Sequence, residues 1–457
     1  MPKEIKLKKG FDIKLAGKAE KTLITDVTSD TYAFKPTDFT GITRPKVMVQ
    51  EGDNVKAGTP IFFDKKSPKV MFTAPVSGEI VEIKRGERRF PTEIRILADK
   101  QIEYAAFPKH TISDLDKLHV EEVTKLLCES GVWGHFIQRP YGTVADPETT
   151  PRSIFISTFD TSPLAPDYAF ALKGEDAYFE AGISILQKYA KVHVNLNRDG
   201  EVVPMFTKNK NIEVNKISGK HPAGNVGVQI HHIDPIAKGD LIWTLNPQGV
   251  VQIGKLFLEG KYDASKVIAL VGPEIQKPQY YRVYSGACIN KIVAENLKSD
   301  PKTLRFISGN VLTGERIRLD GYLGFHHNMI TVLQEGDHYD FLGWILPTSK
   351  TSRSLSFQRA AGLFSFLVPK KKYALDTNTH GEPRAFVQTG VYEQVLPMDI
   401  LPIFLLKAIM AEDFDAMEQL GIYEVIEEDI ALCEFIDVSK TDMQQILRDG
   451  LELMQNS

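Results

Sequence analysis

Side chains capable of chemistry are sparse in this sequence, and few of them cluster. The three cysteines, Cys128, Cys288 and Cys433, stand far apart with no CxxC pairing. Neither a disulfide framework nor an iron–sulfur or cysteine-rich zinc site can be assembled from them within one chain. His231 and His232 are adjacent, and on a strand adjacent side chains point to opposite faces and cannot chelate one ion. His326, His327 and His338 have no recognised ligand spacing, so they read as satisfied polar histidines and no metal site is expected. Phe63-Asp64-Lys65-Lys66-Ser67-Pro68-Lys69 carries three lysines within five residues, as an exposed basic turn does. No Ser-His-Asp set, paired carboxylates or phosphate loop stands out, so no catalytic residue is expected. Two short segments combine rings with arginine: residues 41–45, containing Arg44 and Pro45, and residues 133–141, containing Trp133, Phe136, Arg139, Pro140 and Tyr141. Such segments offer apolar walls and hydrogen-bond donors together.

The elements that must position these groups begin with residues 47–86. Val47, Val49, Val55, Ile61 and Phe63 alternate with polar residues at the period of a half-buried strand, and Val70, Phe72, Val76, Ile80, Val81 and Ile83 do much the same after the lysine hairpin. Gly52, Gly58, Gly78 and Gly86 fall where the alternation breaks. The patterns V-x-E-G-D-x-V-x-x-G-x-x-x-F from Val49 and A-P-x-x-G-x-I-x-x-I from Ala74 resemble the barrel-sandwich of biotinyl and lipoyl carrier domains. Those carriers modify one lysine on the hairpin, which makes Lys65 the candidate here; a lipoyl- or biotin-type carrier module is the alternative function.

A chain of 457 residues exceeds one ordinary core, and a hydrophobic content of 42% with 25% charged residues is that of a globular protein. A net charge of −4 argues against nucleic acid as a partner, since phosphate binding needs clustered Lys and Arg in excess. The amino terminus lacks the apolar core of a secretory signal. The most apolar stretches, 360–369 and 400–410, reach about half of the ~20 residues a spanning helix requires. A reducing, cytoplasmic setting is expected.

Residues 5–17 read as a strand with a glycine turn. An apolar stripe on Val120, Val123, Leu126 and Leu127, stopped by Gly131, predicts a helix; strand 153–157, helix 175–190 and strand 192–196 then make a βαβ unit. Strand-like segments at 267–273, 282–287 and 306–311 predict a β-grasp unit, and apolar residues at helical spacing from Ile400 to Met454 predict a terminal helical bundle. The expected architecture is multidomain α/β: a barrel-sandwich over 1–100, a Rossmann-like α/β domain over 101–256, a β-grasp domain of SLBB-like type over 257–345 and a helical domain over 346–457.

Further stretches carry a resemblance over nearly the whole length. KHPAG at 220–224, IGKLFLEG at 253–260, RFISGNVLTG at 305–314, FHHN at 325–328, RAFV at 384–387, PMDILP at 397–402 and EEDIALC at 427–433 are similar to the A subunits of the Na⁺-translocating NADH:quinone oxidoreductase, Na⁺-NQR. That family resembles in turn the flavoprotein subunit of respiratory complex I, which holds FMN and NADH on a glycine-rich loop. The matching loop here is 130–140, where Trp133 and Phe136 replace small residues and obstruct a phosphate cradle. Residues 158–167 resemble the acidic loop beside the relative's nucleotide and read as retained scaffold. The family's C-x-x-x-C-P near the end is reduced to Cys433 followed by Asp437.

The resemblance implies a peripheral protein on the cytoplasmic face of the bacterial inner membrane, within a sodium-pumping complex that passes electrons from NADH to ubiquinone or another quinone. It implies the other Na⁺-NQR subunits (B to F) as partners, above all the membrane-embedded B subunit, with FMN, FAD, riboflavin and Fe-S centres carried by those partners and no cofactor in this chain. Catalysis as an NADH:quinone reductase and sodium translocase then belongs to the assembly, and the chain's own role is docking. Quinone association is attributed to the A subunits, and Arg44, Pro45, Trp133, Phe136, Arg139, Pro140 and Tyr141 are the candidate contacts.

Overall fold

Two small sheets facing each other across a cluster of phenylalanines form the sandwich that the alternation in residues 47–86 implies. In the computed structural model, which describes residues 3–338, 371–379, 381–386 and 390–456, one sheet orders Thr31–Phe34, Pro91–Ala98, Gly78–Arg85 and Asn54–Val55, and the other Pro45–Val47, Pro60–Asp64 and Ser67–Thr73. Phe62 and Phe72 stack at 4.6 Å and Phe39 lies 4.5 Å from Phe72; burying each ring contributes about 1.5–3 kcal/mol. Alternation fails at two places. Ile61 and Phe62 are both buried while Phe63 is half-buried, and Val81 is exposed. Register shifts flank Phe62 and follow Ile80; a bulge rephases the strand and turns the next side chain to the other face.

The amino-terminal residues belong to neither sandwich sheet. Glu4–Lys6 pairs parallel to Glu213–Ser218 at the edge of a seven-stranded sheet, and Leu23–Ile24 pairs parallel to Gln279–Tyr284 at the edge of a six-stranded one. The strand expected over 5–17 is thus confined to its first residues, and the chain start stitches the other two domains together.

The seven-stranded sheet is the Rossmann-like domain. Its centre runs Lys191–Asn197, Ser153–Ser157 and Ile242–Leu245, all parallel, with Ile137–Arg139 antiparallel beside them. The expected βαβ unit is present, its helix spanning Asp176–Leu186. We number the longer helices α1 (Val120–Ser130), α2 (Asp176–Leu186), α3 (Val226–Ile233), α4 (Pro247–Glu259), α5 (Pro402–Met410), α6 (Phe414–Gln419), α7 (Glu427–Ile436) and α8 (Met443–Asn456). Helix α1 stops at Gly131, whose φ of 88° is the left-handed cap its type allows. Helices α2 and α4 touch through glycine: a Cβ on Gly254 would lie 1.8 Å from the carbonyl oxygen of Tyr178, so any larger residue there separates the helices.

The β-grasp unit is a mixed sheet ordered Glu315–Ile317, Leu304–Ser308, Met329–Gln334, Ser265–Val271 and Gln279–Tyr284, extended by Leu23–Ile24. Helices α5 to α8 form the carboxyl-terminal bundle around Ile403, Leu406, Met417, Leu447 and Leu451. The apolar stretch at 360–369 and Val387 lie outside the described residues. Asp437, in the place of the family's second cysteine, is fully buried and accepts hydrogen bonds from the Tyr392 hydroxyl at 2.7 Å and from the Ser439 and Thr441 amides at 3.0 and 2.8 Å. It organises the turn between α7 and α8, whereas Cys433 is simply buried, its thiol pushed up out of the ionisable range by burial. Asp437→Ala strands three donors and is expected to cost about 3 kcal/mol or more, read as a lower urea midpoint; an unchanged midpoint would contradict this role.

Candidate functional site

The segment 133–141 is split by its own fold. Val132–His135 forms a turn of 3-10 helix and Ile137–Arg139 an edge-side strand, so alternate residues go to opposite faces. Trp133 and Phe136 turn inward. Both are fully buried, stacked at 4.5 Å and packed edge-on against Trp243, with the Trp133 indole donating to the Ala145 carbonyl at 2.8 Å. They are core residues, and an aromatic wall for a ligand has to come from elsewhere. Gly134 is covered in turn, since a Cβ there would lie 2.9 Å from the Phe39 ring.

His135 and Arg139 face the other way, toward a cavity of about 590 Å³ where all four domains meet. Its walls are the N-terminal turns of α3, α4 and α7, the loop through Phe159, Asp160 and Tyr168, residues 325–329 of the β-grasp sheet, and Asp38 from the sandwich. The loop 158–167, read from sequence as scaffold, is therefore one wall of this cavity. Phe159, Tyr168 and Phe325 supply the aromatic surface that Trp133 and Phe136 do not.

The cavity's cations are each paired within the protein, although Arg139 Nε and Asp429 Oδ1 are buried without a hydrogen-bond partner among the described residues. Arg139, 1% exposed, donates to Asp429 at 2.7 Å and Glu428 at 2.5 Å, tying the α/β sheet to α7. Burial lowers the Arg139 pKa and the two carboxylates more than restore it. Burial raises the Glu428 carboxyl against the pull of Arg139, an effect limited by the 38% of its side chain that stays exposed. The buried Lys266 ammonium donates to the carbonyls of Gly324, Phe325 and His327 at 3.2, 2.7 and 2.8 Å. Burial pulls its pKa down to about 7, but three carbonyl acceptors match the three donors of the protonated form. Lys35 pairs with Asp38 at 3.1 Å and Glu315 at 2.6 Å.

The polar lining that remains is mostly neutral. Burial lowers His135 and His221 to about 4 and His327 to about 3. His135 bonds Gln252 at 2.8 Å, and His327 bonds Ser308 through Nδ1 at 2.8 Å. The Thr161 hydroxyl accepts from the Gly224 amide at 2.8 Å and can then donate to His221 Nδ1 at 3.2 Å, which leaves the His221 proton on Nε2. That buried Nε2 has no hydrogen-bond partner among the described residues.

The other candidates lie apart. Pro140 and Tyr141 line a second groove beside α6. Arg44 is exposed on the sandwich, its amide bonded to Asp64 at 3.1 Å and its carbonyl accepting from the Lys65 amide at 3.1 Å; Pro45 is half-buried next to it. Lys65 is exposed at the hairpin turn. His231 and His232 are not on a strand but on α3, with rings 5.1 Å apart. His231 accepts from the Asp399 amide at 3.0 Å and bonds Glu424 at 2.7 Å, and His232 bonds the Pro397 carbonyl at 2.7 Å, so both serve to seat the helical domain.

Family models match three parts of the chain: an NqrA N-terminal barrel-sandwich hybrid domain at residues 5–99, an NqrA second alpha/beta domain at 118–262 and an NQRA C-terminal domain at 267–318. Similar proteins include the A subunit of the Na(+)-translocating NADH-quinone reductase of Serratia proteamaculans, 36% identical over 460 residues, and that of Yersinia pestis, 37% identical over 452 residues. That of Pseudomonas aeruginosa is 36% identical over 454 residues, and in all three the match covers 98% of each chain.

Two expectations follow from the geometry. Arg139→Ala leaves Asp429 buried without its cation and should cost about 3–5 kcal/mol by urea unfolding, with Arg139→Met/Asp429→Leu recovering part of the loss. The buried imidazoles bind protons near pH 4 when folded and near 6.5 when unfolded, so the unfolded state holds more protons between those values and stability rises with pH across that window. The melting temperature should fall from pH 6.5 to 4, and His221→Gln should flatten the slope by up to ~1.4 kcal/mol per pH unit; an identical slope would refute the shift.

Proposed function

The chain belongs to the family of A subunits of the Na⁺-translocating NADH-quinone reductase, and from that premise we propose that it is a peripheral subunit of such a complex, seated at the cytoplasmic face of the membrane. The match across 98% of both chains carries this reading. No helix among the described residues is long and apolar enough to cross a membrane, which fits attachment through membrane-embedded partners such as the B subunit rather than by the chain itself. NADH oxidation, quinone reduction and sodium transport are activities of the assembly, with FMN, FAD, riboflavin and Fe-S centres in its other subunits.

Within that assembly the central cavity admits a quinone head. The supporting observation is His221 Nε2, a buried nitrogen without a hydrogen-bond partner among the described residues, on a residue that lines the cavity together with Phe159 and Tyr168; when Thr161 donates to Nδ1 it carries the proton and is a donor. Such an orphan costs about 1–3 kcal/mol until an acceptor such as a ring carbonyl arrives. The residues do not suit a flavin phosphate at the matching loop, because Trp133 and Phe136 fill the space beneath it and the Phe39 ring covers Gly134. The Lys65 hairpin reads as a solvated turn, so intact mass should equal the sequence mass; a lipoyl- or biotin-sized adduct at Lys65 would favour the carrier function instead.

Two measurements test the reading. Co-expressed with the remaining subunits and extracted in mild detergent, the tagged chain should recover them as a complex. By calorimetry, a short-chain quinone should bind the purified chain, and either His221→Ala or the rim-blocking Thr313→Trp should weaken it about tenfold, the effect of ~1.4 kcal/mol. Unchanged affinity in both variants would remove quinone from this cavity, and stoichiometric flavin absorbance in the isolated chain would overturn the cofactor-free reading.

A further inference from the structure

Around α5 the exposed side chains are mostly apolar where solvated positions would be polar. Leu401, Phe404 and Met410 are 49, 52 and 62% exposed, while Ile403, Leu406 and Ile409 are buried. Each exposed residue neighbours the next at a spacing of three, so together they form a ridge that winds around the helix from its N-cap Leu401 to its last residue Met410, with Lys407 the single charge among them. Phe414 at the start of α6, four residues after Met410, is 40% exposed and lines a groove of about 650 Å³ with Tyr141, Tyr423 and Met454. The turn joining the two helices and the first turn of α6 carry Glu412, Asp413 and Asp415, all exposed, beside these residues. Lys238 at the groove is matched by Glu418 at 2.7 Å.

We propose that this face docks a basic, apolar-sided segment of a membrane-embedded partner protein; the inference rests on the peripheral-subunit reading above and names the surface it uses. The acidic turn selects this occupant. Segments of membrane proteins on the cytoplasmic side carry an excess of Lys and Arg, complementary to Glu412, Asp413 and Asp415. An anionic lipid surface would be repelled by the same carboxylates, and a second copy of the chain would set acid against acid. The exposed Phe404 and Met410 supply the apolar contact, and the groove beside Phe414 receives a side chain from the partner.

The test uses the full chain, tagged and co-expressed with the other subunits, in three forms: wild type, Phe404→Asp, and Asp413→Asn/Asp415→Lys. Val202→Asp, at another exposed apolar residue, is the control. Phe404→Asp should lower recovery of membrane subunits about tenfold, as loss of a central apolar contact does, with its melting temperature unchanged because the side chain is exposed. The charge variant should reduce recovery most at low salt. Recovery equal to wild type in both variants overturns the docking face while leaving complex membership standing, whereas a wild-type chain that recovers no subunits overturns the underlying reading. Sedimentation of the isolated chain with phosphatidylcholine–phosphatidylserine vesicles, or a dimer abolished by Phe404→Asp, would overturn the choice of occupant.

Discussion

The buried guanidinium of Arg139 is the constraint around which the rest of the molecule is arranged. A cation this far from water is tolerable only where carboxylates and hydrogen bonds replace its hydration. Here the replacement comes from Glu428 and Asp429 on α7, nearly three hundred residues away in the chain. The α/β sheet and the helical bundle are therefore tied to each other through this buried pair. Around this pair, Arg448 bonds both Glu427 and the Tyr141 carbonyl, and His231 holds Glu424 and the Asp399 amide. These contacts hold α3 and α7 together with the α/β sheet on one side of the cavity, and the amino-terminal strands add an edge to that sheet and to the β-grasp sheet.

Much of the fold was legible because it rests on periodicity. The sandwich, the βαβ unit and the terminal helices bury one face each, and a buried face leaves a period in the sequence. Phase was harder. The bulges at Phe62 and Ile80 exchange inside for outside without any compositional mark, and His231-His232 lies in an eight-residue helix too short to display a full turn of apolar residues on each side of the pair. The edge strands Glu4–Lys6 and Leu23–Ile24 are two or three residues long, below what any pattern can register.

The candidate site was less legible for a different reason. An aromatic side chain is as good a core filler as a ligand wall, and nothing in the types of Trp133 and Phe136 says which; Trp243, whose ring meets both, is a hundred residues distant. Of the seven residues that type and spacing singled out, Arg139 alone reaches the central cavity, Pro140 and Tyr141 reach the groove, and Arg44 and Pro45 lie on the sandwich. Phe159, Tyr168 and Phe325 become neighbours only through tertiary closure. Asp437 was visible as a departure from a cysteine pattern, but its three hydrogen bonds were not.

The state of the charges around the cavity bears on what can enter it. Arg139 is matched by two carboxylates, Lys35 by Asp38 and Glu315, and all three Lys266 donors by carbonyls. A phosphate would have to compete with these partners for the cations in a region of low dielectric, at a cost of several kcal/mol, and although Arg139 Nε has no hydrogen-bond partner among the described residues, the half-buried Glu428 and Asp160 would oppose the anion further. A neutral group meets no such electrostatic barrier, and the buried His221 Nε2, which has no hydrogen-bond partner among the described residues, is a polar atom it could engage. The residues that resemble a nucleotide-binding frame in sequence thus carry cations already paired inside the protein, and that pairing, more than the shape of the cavity, sets the electrostatic cost of a charged guest.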